Sequence, residues 1–92
     1  METMDHSDIL TRTRAYIQEN FLYMRPQFKL GDNDPLLQQG VIDSMGVMEL
    51  IGFLKSEFGL VVPDDDITEE HFGSLNAIAR YVATQRLRNE AA

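Results

Sequence analysis

The chain has no cysteine, few basic residues and no long apolar run. Without cysteine there is no disulfide staple, no zinc–thiolate site and no cysteine nucleophile, so any thiol chemistry needs a thiol added from outside. Eight Lys and Arg against fifteen Asp and Glu give a net charge of −7. That balance speaks against nucleic acid, whose phosphates demand a basic surface. No stretch approaches membrane-spanning length, and no basic region followed by an apolar run opens the chain. The expectation is a cytoplasmic protein without membrane association. Convincing strand patterns are also missing, as is a Gly-x-Ser-x-Gly elbow.

What is present suits one small domain. Ninety-two residues, 43% hydrophobic and 25% charged, fit a few helices around a single core. The expected domain is 1–92, with an ordered core of about 6–86 and frayed ends, Met1–Met4 among them. The charge is unevenly spread. From Asp32 to Glu70 ten acidic residues face one basic, Lys55, giving −9 and leaving +2 for the remainder. Such a field steers association toward basic partner patches, although acidic faces also serve plain solubility.

The helical pattern starts after Asp5 or Ser7, either of which can cap, and runs to about Asn20. Ile9, Thr13, Tyr16, Ile17 and Phe21 keep the spacing of one buried stripe. His6, with no second ligand nearby, reads as solvated. From about Leu22 to Asp43 the period disappears, and Pro26, Pro35 and Gly31-Asp32-Asn33-Asp34 mark turns. A connection this long in so small a domain is commonly functional. Its apolar residues, including Phe28, Leu30, Leu36 and Leu37, predict that it is pinned across the helices. Asp32-Asn33-Asp34 does not fit a calcium loop, because the glycine and terminal glutamate fall in the wrong places.

At 100° per residue from Ser44, a second helix to about Phe58 puts Val47, Leu50, Ile51, Leu54 and Phe58 on its core face. Met45, Met48, Gly52 and Lys55 fall on another side, flanked by Glu49 and Ser56. Gly46 and Gly52 each cost the helix about 1 kcal/mol against alanine, which close approach by a partner would explain. Gly59 ends the helix, and Asp64-Asp65-Asp66 reads as a solvated acidic turn. Thr68 caps a short helix, with Ile67 and Phe72 at the two positions of a hydrophobic staple and His71 at the surface. Ser74 caps a last helix whose stripe is Leu75, Ile78, Ala79 and Val82, with Arg86 and Arg88 near its end.

The chain is organised around Gly40-Val41-Ile42-Asp43-Ser44-Met45, where the irregular segment gives way to an apolar helix. Ser44 is expected as the N-cap. A helix start offers unpaired N–H groups and partial positive charge, so it tolerates a phosphate well. The run Asp34-Pro35-Leu36-Leu37-Gln38-Gln39-Gly40-Val41-Ile42-Asp43-Ser44-Met45, with Glu49-Leu50, Phe58 and Val62-Pro63-Asp64, resembles the acyl carrier and peptidyl (aminoacyl) carrier protein family. The resemblance covers nearly the whole chain. It implies an all-α, small four-helix bundle of three longer helices and one short one, with a long loop between helices 1 and 2.

By the same resemblance Ser44 receives a covalent 4′-phosphopantetheine arm from coenzyme A. Asp43 helps orient a divalent metal or a basic group during transfer, and Met45, Met48, Glu49 and Gly52 belong to the recognition surface. The implied partners are a phosphopantetheinyl transferase, an acyl- or aminoacyl-loading ligase and downstream enzymes with basic docking patches. The chain is then a monomeric carrier rather than an enzyme, with no catalytic residue and no resident metal. The Gly-x-x-Asp-Ser approach and Gly46 are similar to D-alanyl and related carriers, which stand-alone adenylating ligases load. A carrier of bulk fatty acid synthesis is the alternative within the family. Outside it stand an unmodified acidic helical adaptor and a serine hydrolase built on Ser44, Asp43 and a histidine.

Overall fold

The computed structural model describes residues 5–91; the expected fraying of Met1–Met4 lies outside them. The described residues form α1 (His6–Phe21), α2 (Ser44–Phe58), α3 (Glu69–Phe72) and α4 (Leu75–Ala91), with a 3-10 turn at Asp64–Asp66 and no strand. This is the expected all-α bundle of three longer helices and one short one.

Each helix begins where a short polar side chain meets free backbone donors. Asp5 caps α1 in a reciprocal box, taking the Asp8 N–H at 2.9 Å while the Asp8 carboxylate reaches back to the Asp5 N–H. The Thr68 hydroxyl accepts from the His71 N–H at 3.3 Å, and that of Ser74 from the Ala77 N–H at 3.2 Å. Gly59 ends α2 in the left-handed region, φ 68°, as the pattern predicts.

The predicted stripes meet in one core. Ile9 and Ile17 of α1, Leu50 and Leu54 of α2, and Leu75, Ile78 and Val82 of α4 are fully buried. Each such aliphatic side chain contributes about 1.5–3 kcal/mol by leaving water. Tyr16 and Phe21 lie only partly buried at the stripe's edge, and Thr13 is fully buried with its hydroxyl unpartnered among the described residues. His6 is half-buried rather than fully solvated: its Nε2 is enclosed, without a hydrogen-bond partner among the described residues.

α1 and α2 run antiparallel. Arg12 approaches Glu57 at 3.9 Å, the Tyr16 ring stacks on Phe53 with centroids 4.1 Å apart, and Phe21 packs beside Gly46. The C-terminal end of α1 therefore sits at the start of α2.

The long connection is pinned from two sides. Leu36 is fully buried and its N–H donates to the Gly73 carbonyl at 2.9 Å. The Asn76 N–H donates to the Asp32 carbonyl at 2.8 Å and its side chain to Asn33 Oδ1 at 3.0 Å. From α1, Arg14 bonds the Leu30 carbonyl and the Asp32 carboxylate. Leu37 departs from the expectation: it is 45% exposed and faces outward beside Ser44.

Candidate functional site

The approach to Ser44 is built by the backbone. Residues 35–40 make one helical turn, with the Gln39 N–H on the Pro35 carbonyl at 3.0 Å and the Val41 N–H on the Leu36 carbonyl at 3.0 Å. Gly40, at φ 71°, closes that turn in a conformation side chains rarely adopt. The chain then reverses so that Val41 and Ile42 enter the core. Two buried residues thus anchor the step immediately before the motif.

The structure corrects the assignment of the cap. Asp43, not Ser44, is the N-cap: its backbone is extended, and its Oδ1 accepts from the Gly46 N–H at 2.7 Å. Ser44 is the first residue of the helix and is exposed. Both residue types cap well. The anchoring of Val41 and Ile42 decides between them by fixing where helical geometry begins. Because Asp43 does the capping, no side-chain hydrogen bond engages the Ser44 hydroxyl among the described residues.

The site also explains Gly46, again differently from expectation. A Cβ there would lie 2.6 Å from Ile42 Cγ1 and 2.9 Å from Phe21 Cε1. The close approach is internal, made by α1 and the incoming loop rather than by a partner. At Gly52 a Cβ would meet nothing within 4 Å, and the backbone is open to solvent.

The remaining predicted positions share one exposed surface. Met45 is 77% and Met48 58% exposed, with Glu49, Gly52 and Lys55 also outside. Tyr16 bonds the Glu49 carbonyl from its hydroxyl at 3.2 Å. Burial, and secondarily the Glu49 charge, hold the Tyr16 phenol above its ordinary pKa.

Two depressions flank Ser44. One, of about 610 Å³, is lined by Phe21, Leu37, Ile42, Ser44, Met45 and Glu49, among others. The other, of about 230 Å³, lies between α2 and α3 and is mainly apolar. Its lining includes Leu37, Val47, Met48, Ile67 and Phe72, with Ser44 at the edge. Sequence reasoning placed Phe21 and Phe72 in core patterns without connecting them to Ser44. Neither histidine lines either depression. The structure thus does not bring a histidine to Ser44 and Asp43 in either depression. Among the described residues no group of three or more His, Cys, Asp or Glu is placed to hold a metal, and no helix is long and apolar enough to cross a membrane.

Behind α3 lies a polar cluster that the sequence did not reveal. The Tyr81 hydroxyl donates to Asp66 Oδ2 at 2.7 Å, so the acidic turn is not wholly solvated. His71 Nδ1 lies 3.0 Å from the Asp66 carbonyl, which assigns the ring proton to that nitrogen. Burial, then the hydrogen bond and charge of Asp66, push the Tyr81 phenol far above its ordinary pKa.

An exposed serine opening a helix of a four-helix bundle, with a capping aspartate before it and an exposed apolar face after it, defines a carrier-type domain. The comparisons agree. The family model described as "Phosphopantetheine attachment site" matches residues 19–82. This chain belongs to that family, and its covalent cofactor is 4′-phosphopantetheine.

The D-alanyl carrier protein of Streptococcus suis (strain 98HAH33) is 42% identical over 62 residues, covering 67% of this chain and 75% of that protein. Aminoacyl carrier protein 2 of Bradyrhizobium diazoefficiens is 30% identical over 79 residues, covering 84% of this chain and 81% of that protein. A chain from a solved structure described as "Crystal structure of FAD-dependent dehydrogenase" superposes with a TM-score of 0.65 at 25% identity, covering 76% of this chain and 97% of that one.

Proposed function

We propose that the arm is carried by Ser44 and that the protein tethers aminoacyl groups for enzymes that act on them. The observation that carries the assignment is the free Ser44 hydroxyl at the first helical position, released by the Asp43 cap. The N-terminus of a 15-residue helix suits the phosphodiester, since Gly46 and Val47 direct their N–H groups to Asp43 while those of Ser44 and Met45 remain outside the ladder. When bound, the arm supplies the thiol that this chain lacks and holds cargo as a thioester.

Ser44 acts as an acceptor. Its Oγ forms the bond to the pantetheine-bearing phosphorus of coenzyme A as the pyrophosphate P–O bond breaks and adenosine 3′,5′-bisphosphate leaves, and its proton goes to a base of the transferase. Asp43 keeps one carboxylate oxygen on Gly46 and offers the other to a divalent metal or a basic transferase group. Met45, Met48, Glu49 and Gly52 form the recognition surface, where two polarizable side chains adapt to successive partners and the acidic field favours basic patches. The D-alanyl and aminoacyl carriers among the relatives support an aminoacyl cargo; its loading by a stand-alone adenylating ligase is what the resemblance of the Gly-x-x-Asp-Ser approach implies.

Intact mass tests the attachment. Incubation with coenzyme A, magnesium and a broad-specificity phosphopantetheinyl transferase is expected to add one arm to the native chain and none to Ser44→Ala. An arm on Ser44→Ala, or none on the native chain, refutes it. Loading the holo-protein with amino acid ligases and fatty acyl ligases in parallel then separates an aminoacyl carrier from one of bulk fatty acid synthesis.

A further inference from the structure

We infer that the cavity between α3 and α4, on the far side of α3 from Ser44, binds a small free zwitterion of the α-amino acid class. The ligand's carboxylate pairs with Arg80 and Arg88, and its ammonium with Asp66 and Glu70. It is held without a covalent bond and is independent of any group tethered at Ser44.

The first observation is how charge is sorted around a space of about 330 Å³. One wall, from the 3-10 turn and α3, carries Asp66, Glu70 and His71; the other, from α4, carries Arg80 and Arg88. The two arginines stand eight residues apart, with Thr84 midway, and so share one ridge of α4. The ion pairs among the described residues are Arg12–Glu57 and Arg14–Asp32, so these guanidiniums do not close on the carboxylates opposite. Opposite charges thus face each other across an open gap. A ligand with one charge would satisfy one wall and meet its own sign on the other, whereas a zwitterion complements both.

The second observation is how donors and acceptors are divided. The Tyr81 hydroxyl donates to Asp66 Oδ2 at 2.7 Å, which leaves Oδ1 to accept. His71 Nδ1 directs its proton to the Asp66 carbonyl at 3.0 Å, which leaves Nε2 an acceptor. With Glu70, that wall offers an acceptor for each of the three N–H bonds of an ammonium. On α4 the Thr84 hydroxyl is taken by the Arg80 carbonyl at 2.9 Å, so the charged donors there are the two guanidiniums, whose forks match a carboxylate. Burial and then Asp66 raise the Tyr81 pKa while Arg88 opposes the rise, which puts the Arg88 charge beside this cavity.

The third observation is that the walls are braced. His71 and Phe72 pack on the Tyr81 ring at centroid distances of 4.7 and 5.4 Å, and the phenol bond to Asp66 ties the turn to α4. The lining is polar apart from Ala77 and the Tyr81 ring, unlike the apolar depression at Ser44. An acyl chain gains little there.

The test titrates the full-length chain with free L-alanine, followed by backbone amide shifts. Glu70, His71, Arg80 and Thr84 are expected to shift together and saturate with a Kd on the order of 1 mM. Propionate, which is alanine without its ammonium, and ethylamine, which is alanine without its carboxylate, should each bind at least about threefold more weakly, as expected for loss of one exposed ion pair. Two exposed substitutions assign the ends. Glu70→Gln should weaken alanine and ethylamine and leave propionate unchanged; Arg80→Gln should weaken alanine and propionate and leave ethylamine unchanged. Circular dichroism checks that both variants keep their helices. Shifts that do not saturate, equal affinity for alanine and its two analogues, or an alanine affinity untouched by both substitutions overturns the inference. The readout needs no arm, so it stands or falls separately from attachment at Ser44.

Discussion

Gly46 and Gly52 lie six residues apart on one helix and answer to different demands. Gly46 is enclosed by Phe21 and Ile42, and a methyl group there has no room. Gly52 faces open space on the same side as Met45 and Met48. The two faces of α2 differ in the same way. Inward, Val47, Leu50, Leu54 and Phe58 serve stability. Outward, large apolar side chains stay in water, where they contribute little to folding. The comparison teaches that one short helix packs one face and leaves the other open, and that residue type alone does not assign a position to either.

The sharpest way to break this division is a pair of truncations. Leu50→Ala, at a fully buried position, should cost about 2–5 kcal/mol in urea unfolding. Met48→Ala, at a 58% exposed one, should change stability by no more than about 0.5 kcal/mol and show its effect in partner binding. A large stability loss at Met48 would end the distinction. Gly46→Ala should destabilise by about 1–3 kcal/mol through overpacking, despite the helical preference of alanine.

Asp43→Ala should cost about 1 kcal/mol through the lost cap. Asp43→Asn should retain most of that stability and slow arm transfer, which thermal melts and transfer rates together would show. Gly52→Ala, with room for its methyl, should gain up to about 1 kcal/mol. A loss there would mean that the outer face has a structural role after all.

Tyr16 stands at the boundary between the faces and supplies a finer test. Its folded pKa is raised by burial and Glu49, so the native state keeps a proton that the unfolded chain releases. The stabilisation is fully present below pH about 10, the unfolded tyrosine value, and is lost as pH rises through the folded one. Tyr81 acts with the same sign. Glu49→Gln should bring the Tyr16 titration closer to its ordinary value, as followed by phenolate absorbance.

Much of the scaffold was legible in the sequence because it rests on interactions within one turn. The stripes of α2 and α4, the caps at Thr68 and Ser74, and the left-handed stop at Gly59 all depend on residues no more than a few positions apart. Ser44 could be singled out from its motif, and Met45 and Met48 could be phased to the outer face by the 3.6-residue period.

Tertiary structure decided the rest. Whether Asp43 or Ser44 caps α2 turned on how Val41 and Ile42 seat in the core. The need for glycine at position 46 came from Phe21, twenty-five residues earlier, because α1 and α2 run antiparallel. Tyr81 drew Asp66 out of solvent, and Leu37 and Phe72 came together around Ser44 through the packing of α3. The physical reason is the same each time. Hydrogen bonds and propensities over three or four residues repeat with a period that sequence preserves, whereas contacts between distant residues exist only after the chain has closed on its core.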